Sequence, residues 1–172
     1  MNKKSSPPPV VSIISKKNSG KTTLLVKLIP ELKKRGYTVG TLKHDVHGFD
    51  IDHEGKDTWK HKQAGSDVVV ISCPWKVSLI KDVAKELSID ELVDNFFMDA
   101  DIVITEGYKQ ASKPKIELFR KGAHDAPLYT SSEGSSLIAM ISDIDVDIDV
   151  PVLHIDDITG IADFIINTFL TT

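Results

Sequence analysis

The sequence predicts an α/β protein, a three-layer fold with a mostly parallel sheet between helices and an antiparallel edge portion. Three observations lead there. Short apolar, β-branched runs at 10–14, 68–72, 101–105 and 137–141 are interleaved with helix-periodic segments, the pattern of parallel-sheet proteins. The first run passes through a polar loop into a helix and then into a second strand, and a unit of this length implies parallel pairing with a right-handed crossover. Beyond Pro74, residues 75–80 alternate between apolar and polar types, which suits a hairpin partner or an edge strand.

The chain has 172 residues, enough for one domain with a sizeable core. We expect that domain to span 10–172, behind a tail at 1–9 that three prolines keep extended and flexible. The net charge of −4 argues against a general nucleic-acid binder, which is usually basic. No apolar stretch approaches the roughly 18 residues that span a bilayer, and the first residues carry no secretory h-region, so no membrane partner is expected. The single cysteine, Cys73, has no partner for an internal disulfide, which fits a reducing, cytoplasmic setting.

The first helix is expected over about 21–35, with Leu24, Leu25, Leu28 and Leu32 facing the sheet. Pro30 removes a backbone donor and should kink it or split off its last turn. Gly36 closes it behind Lys33, Lys34 and Arg35, cations that suit a helix C-terminus. Residues 37–43 form the second strand. Segment 44–65 holds four of the six histidines. Its first half reads as loop, and Asp57 is placed to cap a short helix running to Gln63, with Trp59 as its anchor. The run 68–72 reads as a buried strand and 90–97 as a short amphipathic helix. Residues 114–119 are a further strand, 121–135 a mobile loop, 143–149 an exposed connection and 152–155 a last short strand. The closing helix, 158–170, carries Ile161, Phe164, Ile165 and Phe169 on one face.

The chemistry concentrates where the first strand meets its helix. Ser15 and Gly20-Lys21-Thr22 give S-x-x-x-x-G-K-T, against the G-x-x-x-x-G-K-[ST] of a phosphate-binding loop. The strand before and the helix after supply the context that the motif requires, so the fold is read as P-loop NTPase-like. Backbone amides of such a loop form a nest for phosphate oxygens, and the helix N-terminus adds unpaired donors and partial positive charge. Lys21 would reach the β- and γ-phosphates, and the Thr22 hydroxyl would hold Mg²⁺. Ser15 stands where glycine is usual, a mild weakening if its φ stays negative.

Ligands of open parallel sheets bind outside the carboxyl ends of the strands. That rule favours Glu106, at the end of its strand, for the metal shell or for activating water. Asp101 starts the same strand and lies about 16 Å away at roughly 3.3 Å per residue. Asp45, just past the second strand, is the second metal candidate. Lys43 and His44 end that strand on the ligand side. The histidine spacing matches no zinc pattern, and an anion- or partner-binding loop is weighed against a purely solvated one. Asp143 ends a late strand on the same side. A carboxylate there can accept from guanine N1–H and the exocyclic amine, a pair that adenine lacks; an ordinary strand-end acid is the competing reading.

Three stretches carry a family resemblance: SKKNSGKTTLL, then TLKHDVHGFDIDHEGKDTWKHKQAGS, then DIVITEGYK with PKIELFR. Together they resemble the MobB family, the molybdopterin-guanine dinucleotide biosynthesis adapter proteins, in order through about residues 10–120 and more faintly beyond. The resemblance implies a GTP-binding homodimer with at most weak GTPase activity. It also implies assistance to the guanylyltransferase that joins GMP to molybdopterin. By the same resemblance Asn18, Ser19, Gly20, Lys21, Thr22 and Thr23 contact the nucleotide, Glu106 is the acidic strand-end residue, and 43–52 is a loop beside the nucleotide. Two other classes compete. A small-molecule kinase would share the strand–loop–helix start but usually needs lid arginines, and the chain has only Arg35 and Arg120. An interaction module with a vestigial nucleotide site would read Ser15 as decay.

Overall fold

A computed structural model describes residues 6–45 and 47–171. The chain separates into two compact units. One runs to His44 and resumes at Leu92; the other is Asp45–Glu91. The expected 10–172 domain therefore contains two separately clustered bodies.

The larger unit is built on six strands: β1 (Val10–Ile14), β2 (Val39–Lys43), β5 (Ile102–Glu106), β6 (Lys115–Phe119), β7 (Leu137–Ser142) and β8 (Val152–His154). Their order is β2-β5-β1-β6-β7-β8, and all pairings are parallel. β1, β5 and β7 are mostly apolar because they are covered on both faces, and β6, equally buried, carries Lys115 and Glu117 among its apolar residues. The Thr105 hydroxyl donates to the Ser12 hydroxyl at 2.9 Å, so the polar atoms that β5 and β1 bury satisfy each other.

Helices α1 (Lys21–Lys34) and α4 (Ile158–Phe169) pack on one face. Leu24, Leu25, Leu28 and Leu32 of α1 and Ile161, Ala162 and Ile165 of α4 are buried with Val11, Ile13, Ile104, Ile116 and Ile141 of the sheet. On the opposite face, Val103 lies beside Phe97, and a Cβ on Gly40 would fall 2.4 Å from the Phe97 ring; only glycine admits so close an approach. α1 runs unbroken through Pro30, so of the two expected outcomes, a kink or a split last turn, the split does not occur. The carbonyl that Pro30 leaves without its N–H belongs to Val26, which lies on the exposed side of the helix, where water can take it.

The tail expected at 1–9 lies outside the described residues up to Ser5. Beyond it, Pro8 is buried and the Pro9 carbonyl accepts from Val103 N–H at 2.9 Å, so the ordered edge begins before Val10. Loop 121–135, read as mobile, is tied at several points described below.

The second unit holds α2 (Asp57–Gln63) and the antiparallel pair β3 (Val68–Cys73) and β4 (Lys76–Lys81). The hairpin is as the alternation implied. Its burial is not: of β3 only Val69 is buried, so an apolar run read as a core strand is a largely exposed ribbon. α2 has Lys56 rather than Asp57 at its N-cap, with no side-chain cap bond. Asp57 sits one residue later, where its charge still suits the helix N-terminus. Between the units in sequence, α3 spans Ile89–Phe96. Among the described residues no helix is long and apolar enough to cross a membrane.

Candidate nucleotide site

The loop after β1 carries the left-handed backbone that a phosphate nest needs. Asn18 (φ 60°) and Gly20 (φ 93°) both have positive φ, and alternation of this kind turns successive N–H groups to one side. Gly20 is the N-cap of α1 and offers no side-chain cap, so the first amides of the helix keep their donors for another partner. Asn18, Thr22 and Thr23 are exposed, while Ser19 is buried and its hydroxyl donates to the Lys16 carbonyl at 3.0 Å.

Ser15 is no defect. It is buried, its φ is not positive, and its hydroxyl donates to the Lys16 carbonyl at 2.6 Å while accepting from Lys21 Nζ at 2.7 Å. A glycine would leave the Lys21 amine without this resting contact. Burial lowers the Lys21 pKa; Glu106 opposes that, and Lys109 and Lys43 reinforce it. Three charged side chains thus act on one amine, two of them cationic, in a chain of net negative charge.

Thr22 and Glu106 meet. The Thr22 hydroxyl lies 3.3 and 3.4 Å from the two Glu106 carboxylate oxygens. Lys43 is level with Glu106 across the β2–β5 pair. His44 N–H donates to the Glu106 carbonyl at 3.2 Å, and the His44 ring stacks on Tyr108 with centroids 4.5 Å apart. Gly107 and Tyr108 both have positive φ, a strained turn of the kind that clusters at functional sites. Asp101 stays at the far end of β5, where its carboxylate accepts from Thr38 N–H at 2.6 Å. Asp45 belongs to the second unit and there accepts from His47 N–H at 3.0 Å.

Beside Gly20 opens a pocket of about 240 Å³, lined by Thr23, Leu24, Lys27, Arg120, Asp143 and Asp156 among others. Asp143 Oδ1 accepts from Lys121 N–H at 2.9 Å, and Oδ2 lies 3.9 Å from Arg120 Nε. Arg120 was not among the residues singled out from sequence. The signal was present: it is the first residue past β6, at the same carboxyl edge as Glu106 and Asp143.

The segment after Arg120 straps the phosphate loop. Lys16 Nζ donates to the Ala126 carbonyl at 2.7 Å, and His124 Nε2 lies 2.6 Å from the Lys17 carbonyl. Glu117, buried in β6, accepts from the N–H groups of Leu128 and Tyr129. Burial raises its pKa, against the pull of those two amides and of Lys16 and Lys109.

The family model described as molybdopterin guanine dinucleotide synthesis protein B matches residues 10–143. The chain belongs to the MobB family. It is 39% identical over 160 residues to the molybdopterin-guanine dinucleotide biosynthesis adapter protein of Haemophilus influenzae, covering 92% of this chain and 88% of that one. The Escherichia coli adapter protein is 34% identical over 161 residues, covering 92% and 91%. A crystal structure of molybdopterin-guanine biosynthesis protein B superposes with a TM-score of 0.74 at 30% identity, over 92% of this chain and 97% of that one. The MobB match covers residues 10–143, so it takes in the loop after β1, Glu106, the strap and Asp143.

Proposed function

We propose that this protein binds GTP with Mg²⁺ and acts as an adapter in molybdenum cofactor biosynthesis, assisting the attachment of GMP to molybdopterin. Its partners on this reading are GTP, molybdopterin or the guanylyltransferase that acts on it, and a second copy of the chain. The setting is cytoplasmic, and hydrolysis, if it occurs, is slow. The observation that carries the proposal is continuity. The left-handed turn at Gly20, where phosphates would be held, opens directly into the pocket where Asp143 waits.

On this reading the amides of 18–23 take phosphate oxygens and Lys21 leaves Ser15 to neutralise their charge. The Thr22 hydroxyl and the Glu106 carboxylate already converge. They are hard oxygen donors of the kind Mg²⁺ prefers, which binds through one or two protein groups plus phosphates and water. Bound there, the ion would supply positive charge to offset that of the phosphates. Lys43 and His44 flank Glu106 beside the phosphate tail. Asp143, an acceptor-only group, takes the N1–H and amine of guanine.

Calorimetry with GTP and ATP, with and without Mg²⁺, on wild type and Lys21→Ala tests this. Magnesium-dependent GTP binding that the substitution weakens supports the proposal. Absence of nucleotide binding leaves a vestigial site. A purified guanylyltransferase assay, run with and without the chain, tests the adapter role.

A further inference from the structure

Arg120 is a charged group in the pocket that neither the phosphate motif nor the metal pair uses. Its side chain is half exposed, and its Nη1 lies 3.6 Å from where a Cβ on Gly20 would stand. Its root is fixed. The Arg120 carbonyl accepts from Ala123 and His124 N–H, both at 3.1 Å, and the next amide, Lys121 N–H, is held by Asp143. The backbone is therefore locked to the end of β7 while the guanidinium reaches over the pocket from β6.

Its contact with Asp143 is charge without a hydrogen bond, since 3.9 Å exceeds hydrogen-bonding range. A ligand edge can enter beside that carboxylate without displacing a strong bond. Phosphate charge is already met elsewhere, by Lys21 with Lys43 and Lys109 around it. The pocket itself holds two acids, Asp143 and Asp156, and two bases, Lys27 and Arg120. A guanidinium is planar, weakly hydrated and suited to lie on an aromatic face.

We propose that Arg120 is a base-binding residue of the pocket: its guanidinium lies against the face of the guanine whose edge Asp143 reads. This rests on the GTP reading above. In the empty pocket Arg120 balances Asp143. In the filled pocket the base takes up the space between Gly20, Arg120 and Asp143.

The test is calorimetry of the full chain with Mg²⁺, using GTP, ITP, XTP and inorganic tripolyphosphate, on wild type, Arg120→Ala, Arg120→Lys and Asp143→Asn. Arg120→Ala is expected to weaken GTP and ITP alike, by about tenfold, because both present the same ring face, and to leave tripolyphosphate unchanged. Arg120→Lys, which keeps the charge but not the plane, should restore only part of the loss. Asp143→Asn should shift preference from GTP to XTP. Equal weakening of tripolyphosphate would make Arg120 a phosphate clamp and overturn the proposal, as would full rescue by lysine. Wild-type GTP binding with no change in Arg120→Ala sinks this inference alone; failure of the wild type to bind GTP sinks the GTP reading and this one with it. Circular dichroism of each variant guards against misfolding, and Arg120→Lys keeps the test open if the alanine variant is unstable.

Discussion

The Thr22 hydroxyl sits 3.3 and 3.4 Å from the two oxygens of Glu106, 84 positions along the chain. The first turn of α1 and the carboxyl end of β5 are thereby aimed at one point. The arrangement follows from register: β5 pairs with β1 so that Glu106 lies level with Ile13, one residue below the strand end that launches the phosphate loop. Glu106→Gln keeps the shape and removes the charge. The expected outcome is a loss of about tenfold or more in the Mg²⁺-dependent part of GTP affinity, the scale of losing a group that tunes a metal site. Binding without Mg²⁺ should be nearly unchanged. Titrations at several Mg²⁺ concentrations check this, and a variant with undiminished magnesium dependence would remove Glu106 from the metal shell.

Lys21 should be costly to the empty protein and useful only to the loaded one. Its pKa is lowered, first by burial and then by its lysine neighbours. The folded chain therefore binds fewer protons than the unfolded chain between that lowered value and 10.5, and stability rises with pH across this window. Lys21→Met should flatten that rise without lowering the apo melting temperature near neutrality. The same variant should lose ~10- to 100-fold in GTP affinity, the scale of a charge-assisted hydrogen bond. Melting curves from about pH 7 to 10 with and without GTP separate the two effects.

Much of this site was legible because its signals are local. The spacing of Gly20, Lys21 and Thr22, the helical recurrence of Leu24, Leu28 and Leu32, and the strand-end place of Glu106 and Asp143 each depend on a few neighbouring residues. What depended on tertiary partners was not. Val68–Cys73 is as apolar as a core strand, and periodicity cannot tell a buried run from an exposed ribbon. The position of β6 against β1 was also hidden. A parallel return usually needs a dozen or more residues, yet only 107–114 separate β5 from β6. The short link suffices because Lys115 pairs with Ser12, itself level with Thr105, so the chain steps sideways past β1 without travelling back down the sheet. Arg120 inherits its place beside Gly20 from that step: its position at a strand end was legible, its neighbours across the sheet were not.

Glu117 holds the strap over the phosphate loop and does so at a cost to stability. Its pKa is raised by burial above the ordinary 4.5. The folded carboxyl thus holds its proton in a window where the unfolded one has released it, and stability falls as pH rises from 4.5 through the raised value. Glu117→Gln should abolish this slope in urea denaturation series from about pH 4.5 to 7. Leu128 and Tyr129 bond different oxygens of Glu117, and glutamine sets an NH2 donor against one of these N–H groups, so the variant should also lose about 1–3 kcal/mol. Faster hydrogen exchange at those two amides would mark the loosened strap, and unchanged exchange would remove Glu117 from that role.

The ribbon of the second unit is the surface most in need of a cover. Val68, Val70, Val77 and Leu79 all lie on one face by the β3–β4 register, each at least 45% exposed, and Trp75 at the turn is 85% exposed. A contiguous apolar face of this kind marks an interaction site, and the second copy of the chain proposed above would supply an identical partner. Leu79→Glu together with Val77→Lys places charges on that face without touching the phosphate loop. Sedimentation should then show a monomer that still binds GTP with Mg²⁺. A variant that sediments as the wild type would move the dimer contact elsewhere, and one that lost GTP binding along with dimerisation would tie the site's integrity to the second copy.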